Sequence, residues 1–208
     1  MFPLFDAYCV EQMFVATRDA TNKSSSSNNL APPIFSDGAF LEGIMQTGYF
    51  YFLKEEYFKI FKDPHLMGNK EKDGKGGHAR PCFLAIKEEG STIFWMVPIS
   101  SKVEKYKSLY EHKISRLKAC DTLVFGNVLG QDRAFLIQNM CPVTSRYVEE
   151  TYLERGSGVP VTIADDLKQE IAKKATKVLQ LQRKGRKLIF PDVLLIERKL
   201  MEEEKEKI

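Results

Sequence analysis

The residues best placed to do chemistry lie where an apolar run meets a helix start, at Pro98-Ile99-Ser100-Ser101-Lys102. Free backbone N–H groups and the helix dipole at such a junction favour a phosphate. Two hydroxyls, Lys102, and Lys105 one turn on would add donors and positive charge. The same residues have a plainer reading, because Ser101-Lys102-Val103-Glu104 fits an S-x-x-E capping box that needs no ligand. Arg80 opens the run that should pair with the one ending at Ser100, and His78 lies just before it. Either could face the same anion, although a charged residue at a strand edge is ordinarily solvated surface. Tyr51 and Tyr57 could stack on bases or hydrogen-bond a phosphate, while periodicity alone favours Tyr57 as a half-buried core residue. The basic run that includes Lys173, Lys177, Arg183 and Lys184 could follow a nucleic-acid backbone or form a solvated helix face. These signals together describe an electropositive anion site without metal ligands.

Other chemistries find no support. The chain has no G-x-S-x-G elbow, Walker loop, H-E-x-x-H or G-x-G-x-x-G. Its three histidines, His65, His78 and His112, are scattered. Cys9, Cys82, Cys120 and Cys141 form no C-x-x-C pair, so neither a zinc site nor a disulfide framework is expected, and a reducing cytoplasm is. We expect no metal and no cofactor.

The elements that must position these residues are short strands followed by helices. Tyr49–Leu53 is aromatic and strand-prone, and Lys54–Phe61 switches to helical spacing before Asp63-Pro64. Asn69–Gly77 reads as a Gly- and Lys-rich loop. Arg80–Lys87 and Thr92–Ile99 read as buried strands joined by Glu88–Ser91. A helix follows from Ser101, with Val103, Tyr106, Leu109 and Tyr110 on one face. Asp121–Phe125 and Arg133–Ile137 form a hairpin through Gly126–Gln131, and Met140–Val143 ends the strand region. Thr162 opens the longest helix, with Leu167, Ile171, Ala175 and Val178 on one face, and Pro191–Met201 is a last helix. This is an α+β arrangement, a short-stranded sheet or small barrel followed by helices, in one domain.

Length and composition agree. The 208 residues suit one ordinary domain, and a 43% apolar, 28% charged chain can bury a core. No run approaches the roughly 18 apolar residues of a membrane span, so no membrane association is expected. The opening Met1–Asp6 lacks the basic and apolar regions of a secretory signal. Residues 1–44 carry two basic and five acidic side chains, leaving 29 basic against 23 acidic in the remaining 164. Thr21–Asn29 is a polar low-complexity stretch. We therefore expect 1–44 to be a disordered extension, with Met45 an alternative start, and 45–208 to be the folded domain.

Three stretches resemble, in order, the ToxN/AbiQ/CptN-like toxins of type III toxin–antitoxin systems: Tyr49–Phe58, Arg80–Ile86 with Phe94–Lys102, and Ala134–Val143 with the basic helix after it. The resemblance covers roughly 45–200. It implies a small antiparallel β-barrel-like core, similar to that of the MazF and Kid toxins, elaborated with helices. It also implies a metal-independent endoribonuclease that cuts cellular RNA in phage defence or plasmid maintenance and is held inactive by a small repetitive RNA antitoxin. Members often form closed rings of toxin and RNA, so a cyclic hetero-oligomer is implied as well. Tyr57 matches the family's helix tyrosine, and Ser100, Ser101 and a nearby lysine match its loop. The family lysine often stands two residues after the serine, whereas Lys102 follows Ser101 directly and Lys105 comes later. The family's strand lysine has no exact counterpart, so Arg80 or His78 would replace it. Metal-free cleavage would use the substrate's 2′-OH as nucleophile. The rival readings are a non-catalytic RNA-binding protein and a barrel toxin that poisons a protein target.

Overall fold

A computed structural model describes residues 45–68 and 80–206. The expected extension at 1–44, the Asn69–Gly77 loop and His78 lie outside these residues, and Met45, the expected alternative start, is the first residue described. The chain runs through β1 (Phe50–Leu53), α1 (Glu55–Ile60), β2 (Cys82–Lys87), β3 (Phe94–Ser100), α2 (Val103–Leu117), β4 (Val124–Val128) and β5 (Gln131–Phe135). A 3₁₀ turn (Ile137–Asn139), β6 (Cys141–Val143), a second 3₁₀ turn (Ser145–Tyr147), β7 (Val148–Thr151), α3 (Asp165–Arg183) and α4 (Val193–Lys205) complete it. Every strand pairing is antiparallel. The seven-stranded sheet has the order β4-β5-β3-β2-β1-β7, with β6 also on β3. The α+β class and antiparallel core are as expected, but the sheet is open: its path ends at β4 and β7 instead of closing a barrel.

β3 is buried along its whole length and organises the rest. On one side it pairs with β2, with Cys82 opposite Pro98 and Phe83 opposite Val97. On the other it pairs first with β6, from Phe94 to Met96, and then with β5 at Ile99 and Ser100. Pro98 falls at the hand-over between them. The Ile99 N–H donates toward β2, to the Pro81 carbonyl, while the Pro98 carbonyl accepts from Leu136 on the other side. The N–H that proline lacks would therefore point to the stretch where the 3₁₀ turn replaces a strand, so no ladder bond is lost.

The β4–β5 hairpin differs from expectation. Both strands extend through the segment read as a loop, with Val128 opposite Gln131. The turn is only Leu129-Gly130, both at positive φ (51° and 74°), the geometry whose twist matches flanking strands. Gly126 lies inside β4 because Leu167 packs over it: an added Cβ would meet Leu167 Cδ2 at 2.2 Å. β7 gave no apolar signal, since Val-Glu-Glu-Thr is a half-exposed edge strand whose glutamates face solvent.

The long helix starts at Asp165 and not at Thr162, whose hydroxyl donates to the Gly48 carbonyl at 3.0 Å and ties this segment to the start of β1. α3 buries Ile171, Ala175, Val178 and Leu179. α4 adds Val193, Ile196 and Leu200 to the same core. α2 covers a smaller cluster of Cys120, Leu123, Ala134 and Leu136. Among the described residues no helix is long and apolar enough to cross a membrane.

Candidate active site

Strand β3 delivers Ser100 to the site by pairing it with Ala134 of β5. Ser100 is buried, and its Oγ accepts the Lys102 N–H at 3.2 Å. The Val103 N–H turns back to the Ser101 carbonyl at 2.9 Å. This tight turn starts α2 one residue later than the expected capping box requires. Lys102 occupies the cap position, no side chain among the described residues caps the helix, and Glu104 instead pairs with Lys107 at 3.0 Å. The capping role expected of Ser101 is therefore not filled. Its hydroxyl is exposed and makes no hydrogen bond among the described residues, and Lys102 beside it is exposed too. Among the described residues the first-turn N–H groups of α2 lack a side-chain acceptor, which leaves the positive end of the helix dipole open to an anion.

Arg80, two residues before β2, reaches the same place. Its Nη1 donates to the Ile99 carbonyl at 2.7 Å, and its enclosed Nε has no hydrogen-bond partner among the described residues. Arg80, Ser100, Ser101 and Lys102 thus gather around the end of β3. Lys105 lies one turn along α2, exposed, with its Nζ 5.8 Å from the Tyr106 ring centre. His78 lies outside the described residues.

Other expected site residues stand elsewhere. Tyr57 has no exposed surface; its hydroxyl donates to the Pro142 carbonyl at 2.8 Å, and its ring packs on Phe61 and Tyr147. Burial pushes its phenol well above the ordinary tyrosine value. A fully enclosed ring cannot meet RNA, so Tyr57 is a core residue. Tyr51 is 7% exposed, and its hydroxyl is engaged by the Gln46 backbone. Its ring offers no open stacking face.

The basic run is divided. Lys177 pairs with Asp121 at 2.6 Å. Arg183 holds Glu88 in a two-pronged contact (2.7 and 3.1 Å), also pairs with Glu197, and lies over the Trp95 ring. Arg183 therefore fastens α3 to the β2–β3 turn and to α4, which departs from its expected place in an RNA-binding surface. Lys173 and Lys184 are exposed, with no carboxylate partner among the described residues.

Sequence reading missed Lys113. Its Nζ donates to Thr122 Oγ1 and Gln138 Oε1, both at 2.7 Å, and burial lowers its pKa. The available signal was its place on the α2 face that also carries Tyr106 and Tyr110.

No family model and no curated protein matches the chain. Among solved structures it is similar to AbiQ, a lactococcal anti-phage endoribonuclease belonging to the type-III toxin–antitoxin system. The two share 16% identity and a TM-score of 0.57, over 77% of this chain and 99% of AbiQ. The resemblance drawn from three short stretches thus extends to the arrangement of helices and strands, and this chain has the fold of the AbiQ endoribonuclease.

Proposed function

We propose that this protein is a metal-independent, sequence-specific endoribonuclease toxin that cleaves cellular RNA and is restrained by a small repetitive RNA. The observation that carries this reading is the junction of β3 and α2. A helix start and a Ser101 hydroxyl that have no side-chain partner among the described residues, exposed Lys102 and the half-committed Arg80 guanidinium meet there, in a fold shared with an endoribonuclease.

The chemistry follows from the substrate. The 2′-OH attacks the adjacent phosphorus, its proton passes to a base, and the 5′-oxygen leaves with a proton from an acid. The products are a 2′,3′-cyclic phosphate and a 5′-OH. Ser101, the α2 N–H groups and Arg80 are donors for the extra charge on the phosphoryl oxygens. Lys102 or Lys105 would move a proton, a contribution on the order of 10²–10⁴-fold. Ser100 holds the turn that aims these donors. Binding of the antitoxin RNA in the same groove would inhibit by occupancy, and RNA units bridging neighbouring toxins would give a closed ring. The domain responsible is 45–208, acting in the cytoplasm in phage defence.

The test is an RNA-cleavage assay of the full chain in EDTA, with analysis of product ends, beside Ser101→Ala and Lys102→Ala. Cyclic-phosphate ends that disappear in either variant support the proposal. Tight RNA binding with no cleavage of any RNA would replace it with the binding-protein reading.

A further inference from the structure

We propose that the α3–α4 loop and the Asp63–His65 turn form a second, non-catalytic site for single-stranded RNA. An unstacked base would pack on Phe190 beside His65, with its phosphates met by Lys184, Arg186 and Lys187. This rests on the reading above only in taking RNA as the ligand.

Phe190 is 44% exposed, although its neighbours Ile189 and Pro191 are buried. Its backbone is held firmly. The Phe190 N–H donates to the Gln138 carbonyl at 2.8 Å, and Gln182 Oε1 accepts from Leu188 and Ile189 at 2.8 and 3.0 Å. The His65 ring lies 6.4 Å from that of Phe190, tilted by 56°. His65 is fixed through its N–H to Asp63 Oδ1 and its carbonyl from Asn139. Asp63 Oδ2 accepts the Asp192 N–H at 2.8 Å, so one carboxylate joins both segments. An aromatic ring presented this rigidly loses little freedom on contact with a base, and aromatic faces stack on any base.

The charge pattern selects RNA as the occupant. Along α3 the cations are largely neutralised: Lys168 by Asp165, Lys174 by Glu170, Lys177 by Asp121 and Arg183 by Glu88. Past Arg183 this stops. Lys184, Arg186 and Lys187 are exposed and have no carboxylate partner among the described residues. A groove of about 370 Å³ beside Asp63 brings Lys62 and Lys199 to its wall. The nearby carboxylates Asp63 and Asp192 are engaged by backbone N–H groups. Unpaired cations in the same loop as an exposed aromatic whose backbone is held by hydrogen bonds are the combination that single-stranded nucleic acid requires.

The probe is a fluorescein-labelled single-stranded 2′-O-methyl oligouridylate, which lacks the attacking hydroxyl and reports binding alone. Phe190→Ala should weaken binding roughly tenfold without lowering the melting temperature. Phe190→Trp should keep the affinity and show emission quenched on titration. Replacing Lys184, Arg186 and Lys187 by Gln should reduce the salt slope by about 2. Equal binding by wild type and Phe190→Ala, with unmoved Phe190→Trp emission, overturns the proposal whether or not the Gln variant is weaker. Absence of RNA cleavage alongside quenched Phe190→Trp emission would defeat the function proposed above and leave this site standing.

Discussion

Arg80 and Ile99 are joined by a 2.7 Å hydrogen bond from the guanidinium Nη1 to the main-chain carbonyl, immediately before Ser100. One arm of the guanidinium thereby ties the segment leading into β2 to the end of β3, while Nε stays enclosed with no hydrogen-bond partner among the described residues. A cation tied down by backbone is aimed without needing a carboxylate that would cancel its charge.

Arg80→Lys should separate these roles. A lysine can still reach the Ile99 carbonyl but cannot offer a second donor in a fixed plane. RNA cleavage is expected to fall about 10²–10³-fold with little change in melting temperature, as read by kcat/KM and thermal unfolding. A loss of stability with full activity would show that Arg80 only staples strands.

The two serines should behave differently. Ser101 makes no side-chain bond among the described residues, so Ser101→Ala should leave unfolding unchanged while reducing cleavage. Ser100 accepts the Lys102 N–H, and Ser100→Ala should cost about 1 kcal/mol of stability as well. Denaturant titration of both variants beside cleavage rates checks the split.

Tyr57→Phe tests the core assignment. Loss of the bond to Pro142 should cost about 1–3 kcal/mol, because a buried carbonyl is left unsatisfied, and cleavage per folded molecule should persist. The pH dependence has a definite sign. The folded phenol titrates above its ordinary value, so the unfolded chain releases this proton first. Wild-type stability therefore holds below pH of about 10 and declines above it. Tyr57→Phe should lack that component, so its stability gap to wild type narrows in alkaline urea titrations.

Gly126→Ala should destabilise the protein by about 1–3 kcal/mol through overpacking, since the new methyl would meet Leu167 at 2.2 Å. Adding Leu167→Ala should relieve part of that clash. A double-mutant cycle with no coupling between the two positions would refute the packing account.

Arg183→Ala should lower stability by about 1–2 kcal/mol, chiefly because Glu197, 8% exposed, loses its cation. RNA affinity at fixed salt should be unchanged, whereas Lys184→Ala should weaken it. Filter binding at two salt concentrations distinguishes them.

The residues legible in sequence were those whose relationships are local. Aromatic and apolar runs determined β1, β2 and β3, because burial on both faces leaves a continuous signature. The α3 face declared itself by helical spacing, and Ser100, Ser101 and Lys102 stood out because the strand-to-helix change occurs within their own stretch. Even Arg80 could be placed beside Ser100, since a short turn forces the strands around it to pair. Tertiary structure decided what those residues do. Pairing with Ala134 draws Ser100 into the sheet and shifts the start of α2, which breaks a capping box that was sound by local rules. Arg183 meets Glu88 and Lys177 meets Asp121 only because α3 packs back across the sheet. Most of the charges that read as a free basic face along α3 are thereby neutralised, whereas Lys184, Arg186 and Lys187, in the loop that also carries Phe190, have no carboxylate partner among the described residues. Hydrophobic periodicity records which face is buried; it carries no information about which distant carboxylate or carbonyl arrives there, and that is set by how the elements pack.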